Sequence, residues 1–307
     1  MILSDTYSQR AVPSSLYLPC IVLLVLLLTG LRCWVAGYMD FETDEPYYWV
    51  WSQYPALSYF DHPPMVAWFI RIGTALFGHN AFGLRSMALL AMLLTSFLVY
   101  QIALVMFDDR RVAATSMLWF AVTPHTAFFS IISFPDTPAL LFWTLGCYAL
   151  AKLWRSGDGR WWYLAGLALG LAMLSKYTGL FLAGSAGAWV LVSPQMRRWL
   201  KRPEPYLAFL IALVVFSPVL WWNAEHGWVS FAKQFGRVLD HIPEAGLINA
   251  GAFLGVQGAF VSPLIFRFAL AGTGIALWRG LRDRQADWLF LGLASGLMLI
   301  FFVISTR

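Results

Sequence analysis

The sequence predicts an all-α, polytopic membrane protein, and three observations carry that reading. Of the 307 residues, 60% are hydrophobic and only 12% are charged, against about a quarter charged in soluble domains. Mean hydropathy is +0.66. Apolar runs of helical length recur along the chain, and the basic residues fall in the short loops between them. In lipid, only helices or closed barrels satisfy every backbone polar group, and a crossing helix needs roughly 20 apolar residues. The net charge of +5 is spread over several loops, so no nucleic-acid partner is read from it.

The first apolar run, 16–37, follows a short polar start containing Arg10. It is longer than the 7–15-residue core of a cleaved signal and reads as an uncleaved anchor. A polar segment and then 64–78 follow; the latter opens at Pro63-Pro64 and contains Arg71. Further runs lie at 81–107, 112–131, 138–154, 161–174, 177–194, 206–222, 250–278 and 287–305. Loop charges decide which runs cross. If 64–78 does not cross, Arg10, Arg110/Arg111, Arg155/Arg160, Arg197/Arg198/Lys201/Arg202 and Arg279/Arg282/Arg284 all share one side. If it crosses, Arg10 is separated from the others. The consistent arrangement has about nine spans, with 64–78 as an amphipathic helix in the outer interface.

The outer face then carries 38–63, 132–137, 174–178 and 223–249. The helices around 161–194 are short: about 14 residues rise only ~21 Å, less than the ~30 Å hydrocarbon core. The turn Ser175-Lys176-Tyr177-Thr178-Gly179 is therefore expected below the outer surface, inside a cavity. Gly166 and Gly170 form a small-xxx-small pair that implies close helix packing. Cys20, Cys33 and Cys147 lie in apolar runs and read as buried small hydrophobes. No soluble domain or linker is visible, so 1–307 reads as a single domain, with 38–80 as its acidic first outer loop and interfacial helix. The end at Thr306-Arg307, directly after an apolar run, reads as a C-terminal truncation.

The segment 38–63 holds Asp40, Glu42, Asp44, Glu45 and Asp61 and contains no Lys or Arg. Tyr47, Tyr48 and Trp49 follow the Asp44-Glu45 pair, and His62 follows Asp61. Paired carboxylates beside aromatics suit deprotonation of a hydroxyl, or cation binding; aromatic faces suit sugars and prenyl chains. A solvated acidic loop is the plainer alternative. A lysine near the bilayer centre costs ~2.5–3.5 kcal/mol and usually marks function, which singles out Lys176; snorkelling is its alternative. Asp136 precedes a helix and suits an N-cap. Arg85 reads first as an interface anchor, with pairing to an outer-loop acid as the alternative. His125 reads as a hydrogen-bonded core histidine, and the aromatics of Trp221 to Trp228 as interface anchors.

The segments TDEPYYWVWSQ, YFDHPPMVAWF, FPDTPALLFW, LALGLAMLSKYTGL and SPVLWWNAEHGW occur in this order across roughly 38–235. On these motifs the chain resembles the C-type glycosyltransferases (GT-C) of the protein O-mannosyltransferase and aminoarabinose/galacturonic acid transferase superfamily. The resemblance implies a multi-pass enzyme of the cytoplasmic (inner) membrane with its active site facing the periplasm or exterior. It implies a polyprenyl-phosphate sugar donor and a glycan, lipid A or protein as acceptor. An acid of the first outer loop is then the base. Asp44 matches the first acid of the family's Asp-Glu pair, Glu45 the second, and Asp61 the acid before the Pro that opens the surface helix. Asp136 matches the acid of the second outer loop, and Lys176 the lysine of the short helical hairpin. One departure is His62, where aminoarabinose transferases carry Lys; it leaves open how the donor phosphate is held and which sugar is used.

Displacement at an anomeric carbon requires a base for the acceptor hydroxyl and positive charge for the departing phosphate. Asp44 is assigned as base, with Glu45 and Asp61 beside it as catalytic acids. Lys176, His62 and Arg71 are the phosphate-binding candidates, and Asp136, Tyr47 and Tyr48 support the group. A divalent cation on Asp44 and Asp136 is a candidate cofactor, although the spacing specifies no metal. Two rival readings are a transporter or lipid flippase, for which an internal repeat would be a signature, and a non-catalytic scaffold of the same fold.

Overall fold

The computed structural model describes residues 14–239 and 246–305; Arg10, Thr306 and Arg307 lie outside them. The chain begins with α1 (Ser14–Tyr38), α2 (Glu45–Gln53), α3 (Met65–Phe77) and α4 (Ala81–Phe107). It continues with α5 (Arg110–Val122), α6 (Pro124–Ile131), α7 (Asp136–Ser156) and α8 (Arg160–Ser175). A 3-10 turn (Tyr177–Gly179), α9 (Leu180–Val192), a second 3-10 turn (Arg197–Lys201) and α10 (Glu204–Glu225) follow. The described chain closes with α11 (Val229–Leu239), α12 (Gly246–Val261), α13 (Pro263–Arg282) and α14 (Ala286–Ser305). No strand occurs among the described residues.

Helix ends follow local chemistry. Asn80 starts α4 by accepting the Gly83 amide at 2.8 Å, and Asp109 starts α5 by accepting those of Arg111 and Val112. Gly157, at φ 67°, ends α7 in the left-handed conformation that glycine adopts without strain.

Two runs expected as single spans are each two helices. The run 112–131 breaks at Thr123-Pro124, where Thr123 caps α6 through the Thr126 amide at 3.1 Å. The run 250–278 breaks at Ser262-Pro263. Proline lacks the amide hydrogen and crowds the preceding turn, so each helix restarts there. Among the described residues, α1, α4, α10, α13 and α14 are long and apolar enough to cross alone. The pair α6 and α7, bent by 120°, would make a sixth span. Nine spans are therefore not found by length and composition; the shortfall comes from the broken runs and the short α8 and α9.

The loops carrying the basic residues meet at one end of the molecule, as the charge pattern requires. Arg155 lies 3.8 Å from Asp108, Gln195 donates to the Arg284 carbonyl at 2.9 Å, and Phe107 meets Trp288 edge-on. The main core fills this half, where Leu150, Trp162, Trp189 and Phe290 join α7, α8, α9 and α14. Close packing of α8 on α10 is forced at two glycines. A Cβ on Gly166 would lie 2.2 Å from the Ala208 carbonyl oxygen, and one on Gly170 would lie 2.6 Å from Val215 Cβ.

At 13 residues, α3 reaches only about 20 Å, too short to cross. It buries Met65, Val66, Ile70 and Thr74 and exposes Ile72, Leu76 and Phe77. Many exposed apolar side chains, such as Leu23, Leu27 and Trp34 of α1, are what lipid as solvent permits. Of the cysteines expected to be buried, Cys147 is, Cys33 is half-buried and Cys20 is exposed. An apolar helix face needs no protein cover where lipid supplies it.

Candidate active site at the acidic end

The acidic first loop is pinned to the helices by one buried ion pair. Arg85 and Glu45 both have fully buried side chains. Arg85 Nε donates to Glu45 Oε1 at 2.8 Å and Nη2 to Oε2 at 2.5 Å, a bidentate arrangement. The remaining Arg85 donors reach the carbonyls of Ala36, Met39 and Asp40. Glu45 also accepts the Ser133 and Glu42 amides, each at 3.0 Å. Arg85 is thus an internal clamp that joins α1, α2, α4 and the α6–α7 turn, and the interface-anchor reading is corrected. Glu45 is spent in this clamp and does not face an open space, which separates it from the acids available for chemistry.

Asp44, one residue earlier, is exposed. It occupies the N-cap position of α2 without a side-chain cap bond, and among the described residues its carboxylate takes part in no hydrogen bond or ion pair. Asp61 is held on two sides: the Tyr47 hydroxyl donates to it at 2.8 Å, and Lys233 of α11 forms an ion pair with it. Burial pushes the Asp61 carboxyl up, but Lys233 and Tyr47 outweigh it and hold the group below the ordinary value. Burial and the bond to Asp61 push Tyr47 up to about 12, so it stays a neutral donor. Tyr48 is buried, and its hydroxyl is raised first by burial and then by the charges of Asp44, Asp136 and Asp61. The three separate acids therefore converge electrostatically on one tyrosine, whose ring also meets Phe134 and lies 6.3 Å from that of His62.

Beside this group opens a cavity of about 470 Å³ with Asp136 and Lys176 on its wall. Their side chains pair at 2.7 Å. The rest of the wall is largely apolar, with Trp143, Phe253, Phe266 and Phe302 from α7, α12, α13 and α14. Lys176 reaches this position because α8 ends there: its amide still bonds back to Ala172 while its own backbone is extended. Asp136 is the first residue of α7, and Pro135 holds the N-cap position instead, which corrects the capping expectation. His125 lines the cavity and packs against Phe129 and Phe260, in place of the hydrogen-bonded core role. Arg71 is not brought here. It donates to the Ser52 carbonyl at 2.9 Å and ties α3 to the end of α2.

A divalent cation would need several hard oxygen ligands. Among the described residues no three His, Cys, Asp or Glu side chains converge to hold a metal, and Asp136 is already occupied by Lys176. The donor set does not fit the suggested site on Asp44 and Asp136.

Three residues that contact the acidic loop escape the sequence reading. Lys233, Gln234 and Ser230 of α11 reach back to the first loop: Lys233 to the Asp61 carboxylate, Gln234 to the Asp61 carbonyl at 2.7 Å, and Ser230 to the Tyr59 carbonyl at 2.9 Å. The available signal was a lone lysine on an amphipathic outer segment facing a loop with acids and no bases. Buried Asn223 joins α10 to α11 by accepting the Ser230 amide at 3.2 Å. Nearby, Trp221 donates to Glu225 at 2.7 Å and Trp222 stacks on His226.

A family model described as dolichyl-phosphate-mannose-protein mannosyltransferase matches residues 61–222. The chain is 28% identical over 271 residues to the lipid A galacturonosyltransferase RgtD of Rhizobium johnstonii, covering 86% of this chain and 55% of that protein. It is 30% identical over 282 residues to the undecaprenyl phosphate-alpha-4-amino-4-deoxy-L-arabinose arabinosyl transferase of Pseudomonas aeruginosa, covering 84% and 48%. The chain thus spans about half the length of the curated relatives it matches. Its fold is that of ArnT from Cupriavidus metallidurans bound to undecaprenyl phosphate, with a TM-score of 0.68 at 19% identity over 95% of this chain and 56% of the other. The molecule is a multi-pass membrane protein of the C-type glycosyltransferase fold. Because the family model covers just over half of the chain, the protein belongs to the dolichyl-phosphate-mannose-protein mannosyltransferase family.

Proposed function

We propose that the chain is the membrane part of a glycosyltransferase that moves a sugar from polyprenyl phosphate to an envelope acceptor outside the cytoplasm. The observation that carries this reading is the pairing of Lys176 with Asp136 on the wall of a largely apolar cavity, with an unpaired Asp44 on the neighbouring acidic loop. A lipid-linked phosphosugar needs that combination: a cation at the phosphate, apolar wall for the prenyl chain, and a carboxylate at the acceptor. The named relatives use undecaprenyl phosphate-linked aminoarabinose or modify lipid A with galacturonic acid, which favours a lipid A-type acceptor in a bacterial inner membrane.

In the proposed step, Asp44 takes the proton of the acceptor hydroxyl. The freed oxygen attacks the anomeric carbon, the bond from that carbon to the phosphate oxygen breaks, and the electron pair leaves with polyprenyl phosphate. Lys176 turns from Asp136 to balance the growing phosphate charge; one donor to a developing charge is worth roughly 10²–10³ in rate. Asp61 and Tyr47 are bonded to each other and brace the loop that carries Asp44. One displacement without a covalent intermediate inverts the anomeric configuration.

The test is to incubate purified full-length protein in nanodiscs with radiolabelled undecaprenyl-phosphate sugars and lipid A. Label on lipid A, with free undecaprenyl phosphate released one for one, is the expected result. Label that crosses the bilayer still attached to its carrier would make the protein a flippase instead.

A further inference from the structure

The basic half of the molecule holds a second cavity that the transfer reaction leaves unused. It is a groove of about 300 Å³ between α8, α9 and α10, lined by Trp162, Ala165, Ala183, Gly187, Leu191 and Phe209. Along α9 it runs from Leu182 to Leu191, about 13 Å at the helical rise. Gly166 is closed against the Ala208 backbone, whereas a Cβ on Gly187 would meet nothing within 4 Å. The groove is therefore open along α9 and sealed where α8 meets α10.

The charge at its mouth says what fills it. The 3-10 turn at the mouth supplies Leu200 to the wall and carries exposed Arg197, Arg198 and Lys201. Of the basic residues from 197 to 202, among the described residues only Arg202 is paired with an acid, Glu204.

We propose that this groove binds one anionic phospholipid of the surrounding bilayer. An acyl chain lies over Gly187, and the headgroup charge faces Arg198 and Lys201. A packed helix from a second copy of the chain would cover the apolar wall, but it would leave the charge of Arg198 and Lys201 unanswered.

Native mass spectrometry of the full chain, offered phosphatidylglycerol or phosphatidylcholine, tests the site in the wild type, Gly187→Phe and the double variant Arg198→Gln/Lys201→Gln. The wild type is expected to retain one phosphatidylglycerol in preference to phosphatidylcholine. Gly187→Phe should lose that retention, and Ala183→Leu is a milder filling variant of the same wall. The double variant changes only exposed side chains and should weaken phosphatidylglycerol roughly thirty-fold with phosphatidylcholine unchanged. Equal retention of both lipids by the wild type, or undiminished phosphatidylglycerol in either filling variant, overturns the proposal. A wild-type dimer that Gly187→Phe dissociates overturns it in favour of a second copy.

Discussion

Asp44 and Glu45 are neighbours with opposite surroundings, and the difference sets what each can do. Glu45 is fully buried against Arg85, so removing one partner strands a charge. Arg85→Met is expected to cost about 3–5 kcal/mol, read as a large fall in thermal midpoint, while Asp44→Asn leaves the midpoint unchanged. Equal midpoints for Arg85→Met and wild type would show that the clamp carries no stability. Asp61 gives a pH signature. Its carboxyl is held below the ordinary 3.8, so it binds its proton less readily folded than unfolded. Its contribution is full above 3.8 and fades as the pH falls through the lower folded value. Amide protection in α11, with the intrinsic exchange rate divided out, should fall over that acidic window in the wild type and stay level there in Lys233→Met; identical pH profiles would remove the Asp61–Lys233 pair from this role.

At the scale of elements, two glycines separate packing from open surface. Gly166→Ala drives a methyl into the Ala208 backbone and is expected to cost about 1–3 kcal/mol by overpacking. Gly187→Ala meets open space and is expected to be neutral or slightly stabilising. Thermal unfolding of the two variants checks the contrast, and similar losses in both would contradict the helix contacts. The sequence was legible where hydropathy and capping agree. The apolar run 81–107 coincides with α4 because Asn80 and Asp108 both stop it. Legibility failed where hydropathy ran through a backbone break: Pro124 and Pro263 were visible, but uninterrupted apolar character hid the restarts they impose. It also failed for long-range partners. Arg85 meets Glu45 across 40 positions and Lys233 meets Asp61 across 172, and no local pattern reports such distances. Lys176 was legible because a lysine between two short apolar helices has few places to go, and the end of α8 puts it on the cavity wall.

For the whole molecule, the charge pattern gives an orientation. The acidic end holds the candidate site, and the basic loops gather at the other end. After replacement of Cys20, Cys33 and Cys147, a membrane-impermeant thiol reagent added outside intact cells should label Glu42→Cys and spare Lys201→Cys. The reverse pattern would invert the protein and place the acids in the cytoplasm. Under the proposed reaction the donor would travel in the bilayer, and the cavity walled by α7, α12, α13 and α14 is largely apolar.

The measurement that tests the central assignment most directly is the rate of sugar transfer to lipid A by Asp44→Asn against wild type, at matched amounts of folded protein. The account predicts a fall of roughly 10²–10⁴-fold, the usual worth of a general base, with the thermal midpoint retained. A rate within a few-fold of wild type would contradict it, taking the acceptor proton away from Asp44 and leaving Asp61 and Asp136 as the carboxylates to examine.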